Sequence, residues 1–150
     1  MHSTPSRPHP WYAALLGTYV SGFSLLAALI RRRNGAPEVN TGDIVLLAAA
    51  TNKLARLGTQ ERVTAPLRSP FTDRVEDADG TPVELPKEHG ARRAVGELVT
   101  CPFCLSVWIA TALTGALLLV PRPTRVVLAG LTAMTGSDFL QRFWGRLDAS

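Results

Sequence analysis

Two long stretches without a charged residue constrain what this chain can fold into more than any other feature. Residues 11–30 contain no Asp, Glu, Lys or Arg, and neither do residues 98–121. The hydrocarbon core of a bilayer is about 30 Å thick, which a helix of roughly 20 apolar residues can cross. Both stretches have that length, so we expect a membrane helix from residues 11–30 and another from residues 98–120.

The first stretch has the flanks of a membrane anchor. It opens with the aromatic pair Trp11 and Tyr12 and ends against three consecutive arginines, residues 31–33. Aromatic and basic residues are typical of the two membrane interfaces. A cleaved signal peptide is the alternative, but its apolar region is usually only about 7 to 15 residues long and ends at a small-residue cleavage site. The sequence therefore favours an anchor.

Two shorter apolar segments, residues 43–57 and 126–143, complete the predicted helices. The first carries Lys53 and Arg56, so it either crosses with these side chains reaching the interface or lies half-buried. Residues 58–97 form a polar loop, in which frequent prolines argue against a long helix. We therefore predict an all-α fold: one small integral membrane bundle over residues 1–150, with three or four membrane helices and a polar cytoplasmic loop.

The charge distribution bears on topology more than on ligand class. The net charge is +4 and the pI is about 9.7, but the basic residues cluster at the ends of apolar segments, which argues against a nucleic-acid partner. If four segments cross and the N-terminus is cytoplasmic, eleven Lys and Arg lie inside and five outside. If the N-terminus is outside and residues 43–57 only dip into the interface, the numbers are thirteen and three. Both arrangements put the central loop and the C-terminus in the cytoplasm, and the side of the N-terminus stays open.

The motif Cys101-Pro102-Phe103-Cys104 is the clearest candidate for chemistry. Two thiols at this spacing can form a disulfide or supply two zinc ligands. A structural zinc site needs four ligands, and His89 is the only histidine near the motif in sequence. Because buried cysteines also serve as small apolar residues, packing, thiol redox chemistry and metal ligation all remain open. No cofactor is identified.

Three ionisable residues in the shorter apolar segments are further candidates. An ionisable group inside an apolar segment is a candidate functional group. Asp138 either has such a role or reaches the interface and pairs with Arg142, four residues further on. Lys53 and Arg56 are interpreted as the cytoplasmic end of the second helix. The sequence has none of the common phosphate-loop, zinc-protease or serine-hydrolase motifs.

Three motifs, in order, resemble a bacterial membrane family. They are DIVLLAAATNKLARL, VTAPLRSPF and GARRAVGELVTCPFCLSVWIA, and together with Trp108 they resemble the domain of unknown function 1360 in its actinobacterial form. The resemblance covers most of the chain, about residues 11–143. It implies an integral membrane protein without an assigned activity, and it favours a membrane-embedded second helix.

The functional prediction is therefore a membrane component rather than an enzyme. We expect it to lie in the cell membrane as a multi-pass protein, in contact with the lipid bilayer. It would bind a partner protein or lipid, or form a homo-oligomer. The alternative is a thiol-redox or metal-binding membrane protein that uses Cys101 and Cys104.

Overall fold

A computed structural model describes residues 10–33, 37–76, 82–88 and 90–148 of the chain. These residues form six α-helices and one β-hairpin. The helices are α1 (Pro10–Arg32), α2 (Thr41–Gln60), α3 (Ala65–Arg68), α4 (Gly90–Thr100), α5 (Pro102–Leu119) and α6 (Pro121–Leu147). A single 3-10 turn, Arg62–Thr64, joins α2 to α3. Strands β1 (Thr72–Glu76) and β2 (Pro82–Pro86) pair antiparallel, with Thr72 opposite Pro86.

Two of these helices, α1 and α5, are long and apolar enough to cross a membrane. The prediction of a mainly helical chain with such helices is confirmed to that extent. The chain is not all-α, however, because β1 and β2 lie inside the predicted polar loop. The hairpin was not predicted, although Asp79-Gly80, a dipeptide typical of hairpin turns, lies between its strands in the sequence. Each strand has only five residues, and TDRVE does not alternate apolar and polar residues.

The predicted helix over residues 98–120 is interrupted at Cys101. Helix α4 ends at Thr100, and α5 begins at Pro102. Cys101 has φ −98° and ψ 108°, the extended conformation that proline imposes on the residue before it. The interruption separates a polar helix, α4, from an apolar one, α5.

The other helix bounds also differ from the predicted ones. Helix α2 begins at Thr41 because Asn40 forms a capping box with Asp43. Helix α6 begins at Pro121, so residues 121–125, which lie between the predicted helices over residues 98–120 and 126–143, belong to its first turns. Pro121 and Pro123 fit there because the first N–H groups of a helix have no partner within the helix.

Helix α2 packs between α5 and α6 and is the centre of the bundle. Ala50, Leu117 and Leu128 form the buried core where these three helices meet. The hydroxyl of Thr132 donates to the Leu46 carbonyl, and the hydroxyl of Thr135 donates to the Ala49 carbonyl. Because both residue numbers increase together, α2 runs parallel to α6.

Helix α5 runs antiparallel to both α2 and α6, and α1 runs parallel to α5. Tyr19 near the middle of α1 hydrogen-bonds Thr111, and Arg33 at its end donates to the Leu119 carbonyl. The bundle therefore has two ends. At the hairpin end, α1 begins, α2 ends, α5 begins and α6 ends; at the opposite end, α1 and α5 end while α2 and α6 begin.

Candidate functional site

Lys53 and Asp138, which the sequence singled out separately, form one ion pair between α2 and α6. The Lys53 Nζ lies 2.6 Å from Asp138 Oδ2, and the lysine side chain is only 10% exposed. A buried ammonium group is costly unless it is paired. The structure therefore pairs Asp138 with Lys53, whereas the sequence suggested Arg142 as its partner.

A second pair between the same helices was missed in the sequence. Arg125 Nε and its second guanidinium nitrogen each donate to a carboxylate oxygen of Asp43, both at 2.8 Å. The Asp43 side chain is 3% exposed and also accepts from the backbone N–H of Asn40. The capping-box residues Asn40 and Asp43 were the available signal, but that signal identifies a helix start and does not identify Arg125 as a partner.

A small polar cavity lies at the hairpin end between α2 and α6. Its volume is about 290 Å³. Its lining residues are Lys53, Arg56, Glu61, Asp138, Gln141 and Arg142. All three ionisable candidates from the two shorter apolar segments thus line one cavity. It contains three basic and two acidic side chains.

Arg68, from the APLRSPF segment, is the most extensively bonded side chain on the hairpin side. It is 5% exposed, although the sequence gave no reason to expect burial. Its guanidinium donates to both carboxylate oxygens of Glu84 at 2.7 and 3.2 Å. It also donates to the Gly58 carbonyl, the Glu61 carbonyl and the Thr64 hydroxyl. Arg68 thereby joins the end of α2 to strand β2.

The contact with Arg68 also changes the acidity of Glu84. Hydrogen bonds from Arg68 hold the pKa of the Glu84 carboxyl below its ordinary value. Partial burial acts in the opposite direction, and the positive charges of Arg68 and Arg74 lower the pKa further. Glu84 is therefore expected to remain charged, and paired, at neutral pH.

A larger cavity of about 1130 Å³ opens beside this network. Its lining comes from the end of α2, the turn after it, α3 and the hairpin, and includes Gln60, Arg62, Ser69, Arg74 and Val83. It has polar and apolar walls and lies outside the apolar helices.

Gly96, from the GEL segment, allows the hairpin to pack closely on α4. A Cβ atom on this residue would lie 2.5 Å from the Phe71 carbonyl oxygen and 3.0 Å from Pro86 Cβ. Backbone cannot yield to such an overlap as a side-chain tip can. The next residue, Glu97, accepts a hydrogen bond from the hydroxyl of Tyr12 and pairs with Arg93 at 3.0 Å, which connects α1 to α4.

The two cysteines lie at the start of α5 as free thiols. The Cys101 sulfur accepts from the backbone N–H of Cys104 at 3.3 Å and so caps the helix. Cys104 is exposed, and Cys101 is partly buried. Within the described ranges, no group of three or more His, Cys, Asp and Glu residues could hold a metal ion. His89 lies outside the described residues.

These features define a class: a small, mainly helical protein with two apolar helices of membrane-spanning length and a hairpin at one end. The chain belongs to the family described as protein of unknown function (DUF1360), whose model matches residues 46–144. The resemblance seen in the three motifs is thus confirmed, and the family assigns no biochemical activity.

One curated relative is similar over most of its length. It is Sporulation protein YjcA of Bacillus subtilis (strain 168), 35% identical over 105 residues. The match covers 65% of this chain and 88% of the relative. No solved structure matches the chain significantly.

Proposed function

We propose that this protein is a non-enzymatic, multi-pass component of the cell membrane that presents its hairpin end to a partner protein. The observation that carries the proposal is where the charged groups of the bundle lie. The apolar helix α1 has no buried residue, whereas Asp43 and Lys53 of α2 are each paired with α6. Such an inside-out distribution suits lipid around the bundle, because lipid covers apolar faces and leaves inward charges to pair with one another.

Four embedded helices follow from this proposal, although only α1 and α5 qualify by apolarity. Helix α2 has 20 residues and would span about 30 Å. Its charged side chains Asp43 and Lys53 face α6, so they do not count against embedding as exposed charges would. Helix α6 has 27 residues and exposes Val126, Met134 and Phe139 on its outer surface.

The charge at the two ends supports a cytoplasmic hairpin end. At this end lie Lys53, Arg56, Arg62, Arg68, Arg74, Lys87, Arg92, Arg93, Arg142 and Arg146. At the opposite end lie Arg31, Arg32, Arg33, Arg122 and Arg125. Cytoplasmic flanks carry the excess of Lys and Arg. Because α1 begins at the hairpin end, the same reasoning puts the start of α1 on the cytoplasmic side and favours four crossings.

The hairpin end is the proposed binding surface. The cavity beside Arg68 has polar and apolar walls, as a protein-binding recess requires, and the hairpin is fixed to the bundle through Arg68 and Gly96. The similarity to a protein named for sporulation leads us to include a role in sporulation, or in a related developmental process, in the proposal.

Cysteine labelling from the two sides of the membrane tests the topology. In a background of Cys101→Ser and Cys104→Ser, single cysteines would be introduced as Val75→Cys in β1 and Arg122→Cys in α6. Both sites are exposed. A membrane-impermeant maleimide added to intact cells is expected to label only the Arg122 position, and to label the Val75 position after lysis.

Two results would overturn the proposal. One is release of the full-length protein from membranes by alkaline carbonate. The other is labelling of both positions from the same side. Affinity capture then tests partner binding by comparing the native chain with a double variant, Arg62→Ala with Arg74→Ala, in the cavity wall. The proposal expects the native chain to capture a specific protein that the double variant does not capture.

The thiol-based alternative makes a separate demand. It requires Cys101 and Cys104 themselves, so their joint replacement by serine would abolish function, or change metal content or redox state. The membrane-component proposal expects the double variant to retain its partner and its place in the membrane. Thiol alkylation in native membranes, with metal analysis of purified protein, distinguishes the two.

A further inference from the structure

The polar cavity between α2 and α6 has more positive charge than the chain neutralises. Of its three cations, Lys53 is paired with Asp138 at 2.6 Å. Arg56 and Arg142 also lie within electrostatic reach of Asp138, and the lining holds one further acid, Glu61. Throughout the part of the chain that the structure describes, neither Arg56 nor Arg142 forms an ion pair of its own.

The geometry of these groups suits an oxyanion. The guanidinium group presents several N–H donors in a planar fork that matches phosphate oxygens. Arg56 and Arg142 come from different helices and meet at a cavity of about 290 Å³, which is large enough for a phosphate group. Gln141 lines the same wall, and its amide group, which donates one N–H to the Ser137 hydroxyl at 3.4 Å, has a second N–H. The second acid, Glu61, and Asp138 leave the lining with a net charge of +1.

The surroundings of the cavity suit a ligand with an apolar part. Helix α6 exposes Phe139, Phe143 and Trp144 on the turns that also carry Gln141 and Arg142. Tryptophan and arginine together are typical of the headgroup level of a membrane. Acyl chains could therefore lie against the aromatic side chains while a headgroup enters the cavity.

We propose that this cavity binds the phosphate of an anionic phospholipid headgroup, in which no choline cation neutralises the phosphate charge as it does in phosphatidylcholine. Arg56 and Arg142 hold the phosphate oxygens, and the Lys53–Asp138 pair holds α2 and α6 at the spacing that forms the cavity. This inference rests on the membrane embedding proposed above. It does not depend on the partner protein or on the function of the hairpin.

The experiment uses the purified full-length chain in lipid nanodiscs. One preparation contains phosphatidylcholine alone, and the other contains phosphatidylcholine with phosphatidylglycerol. Native mass spectrometry counts retained lipids, and the thermal midpoint of unfolding reports stabilisation, because a ligand that binds the folded state raises that midpoint. The test variant is Arg56→Gln with Arg142→Gln; the matched control is Arg31→Gln with Arg32→Gln at the opposite end, which removes the same charge.

The expected result is specific to the lipid and to the cavity. Phosphatidylglycerol raises the midpoint of the wild-type chain, and the Arg56/Arg142 variant loses about tenfold in apparent affinity while the control does not, as expected for lost charge-assisted hydrogen bonds. Both variants should have the wild-type midpoint in phosphatidylcholine alone, which shows that they fold.

Three outcomes would overturn the inference. The first is equal loss in the control variant, since that indicates attraction by net charge alone. The second is unchanged phosphatidylglycerol binding by the Arg56/Arg142 variant. The third is competition by inorganic phosphate at the same concentration as the lipid, since the site would then take free phosphate. A chain that is absent from membranes would instead fail the proposed function, and carbonate extraction detects that separately.

Discussion

At the scale of single residues, Arg68 is the side chain on which the hairpin end depends most. Its guanidinium has acceptors in α2, the following turn and β2. We expect Arg68→Ala to reduce the free energy of unfolding by about 3 kcal/mol, because it leaves Glu84 and the Gly58 carbonyl without their donor. Thermal unfolding of the purified chain in detergent measures the effect.

Arg74→Ala is the matched control for this substitution. Arg74 approaches the same carboxylate at 3.7 Å, but its side chain is 64% exposed. Exposed ion pairs contribute only about 1 kcal/mol or less. Similar losses in the two variants would show that Arg68 acts only as another surface charge.

Glu84 gives the hairpin end a defined pH dependence. Arg68 lowers the pKa of Glu84 in the folded chain, so the stabilisation is complete above the ordinary glutamate pKa of about 4.3 and is lost as the pH falls through the lowered value. Glu84→Gln should therefore be less stable than wild type at pH 7, and the two stability curves should converge in acid. A constant difference between the curves down to pH 3 would contradict this.

The burial of Arg68 could not be predicted from the sequence. Two of its acceptors lie far from it in sequence: the Gly58 carbonyl ten residues before it and the Glu84 carboxylate sixteen residues after it. Neither position carries a pattern that points back to Arg68. The Cys101-Cys104 pair, in contrast, was evident from spacing alone. Its capping of α5 depends on the break between α4 and α5 at Cys101, which Pro102 imposes.

At the scale of elements, helix α2 shows why a charged helix can occupy the centre of the bundle. Its two buried charges, Asp43 and Lys53, are matched by α6, so Asp138→Asn leaves Lys53 buried without its counter-ion. We expect that variant to lose about 3 kcal/mol of unfolding free energy. The loss should be recovered in large part by adding Lys53→Met, which removes the unpaired charge.

A double-mutant cycle on Lys53 and Asp138 measures this coupling in unfolding experiments. Additive losses would mean that the 2.6 Å contact contributes nothing specific.

The sequence predicted the apolar helices but did not predict which helices pair through their charged residues. The length of the uncharged stretches predicted α1 and α5, whereas the partners of Asp43 and Lys53 depend on α2 and α6 running parallel, although the paired residues lie more than 80 positions apart in sequence.

At the scale of the whole molecule, α1 is the long helix that packs least against the rest. It contacts α5 and α4, and its closest packing is Leu26 against Gly115, where an added Cβ would lie 2.5 Å from the leucine. The family match begins at residue 46, beyond this helix. The core of Ala50, Leu117 and Leu128 lies between α2, α5 and α6 and does not include α1.

Gly115→Leu should therefore separate α1 from the bundle without unfolding the remainder. We expect a protease to cleave this variant between α1 and α2 faster than it cleaves the wild-type chain. The fragment after α1 should remain folded, with a thermal midpoint close to that of the wild-type chain. Gly130→Leu is the control, because a Cβ there meets nothing within 4 Å. Loss of the whole fold in Gly115→Leu would show that α1 is integral to the core.

The two ion pairs between α2 and α6 restrict how the bundle can move. They lie at two heights along the helices, so sliding α2 past α6 by one turn, about 5.4 Å, would separate both pairs of charges at once. The two ion pairs thus fix the register of α2 against α6, and the two helices move together as one rigid unit. Bending in response to a bound partner would instead concentrate at Cys101, where one extended residue separates α4 and the hairpin from the apolar helix α5.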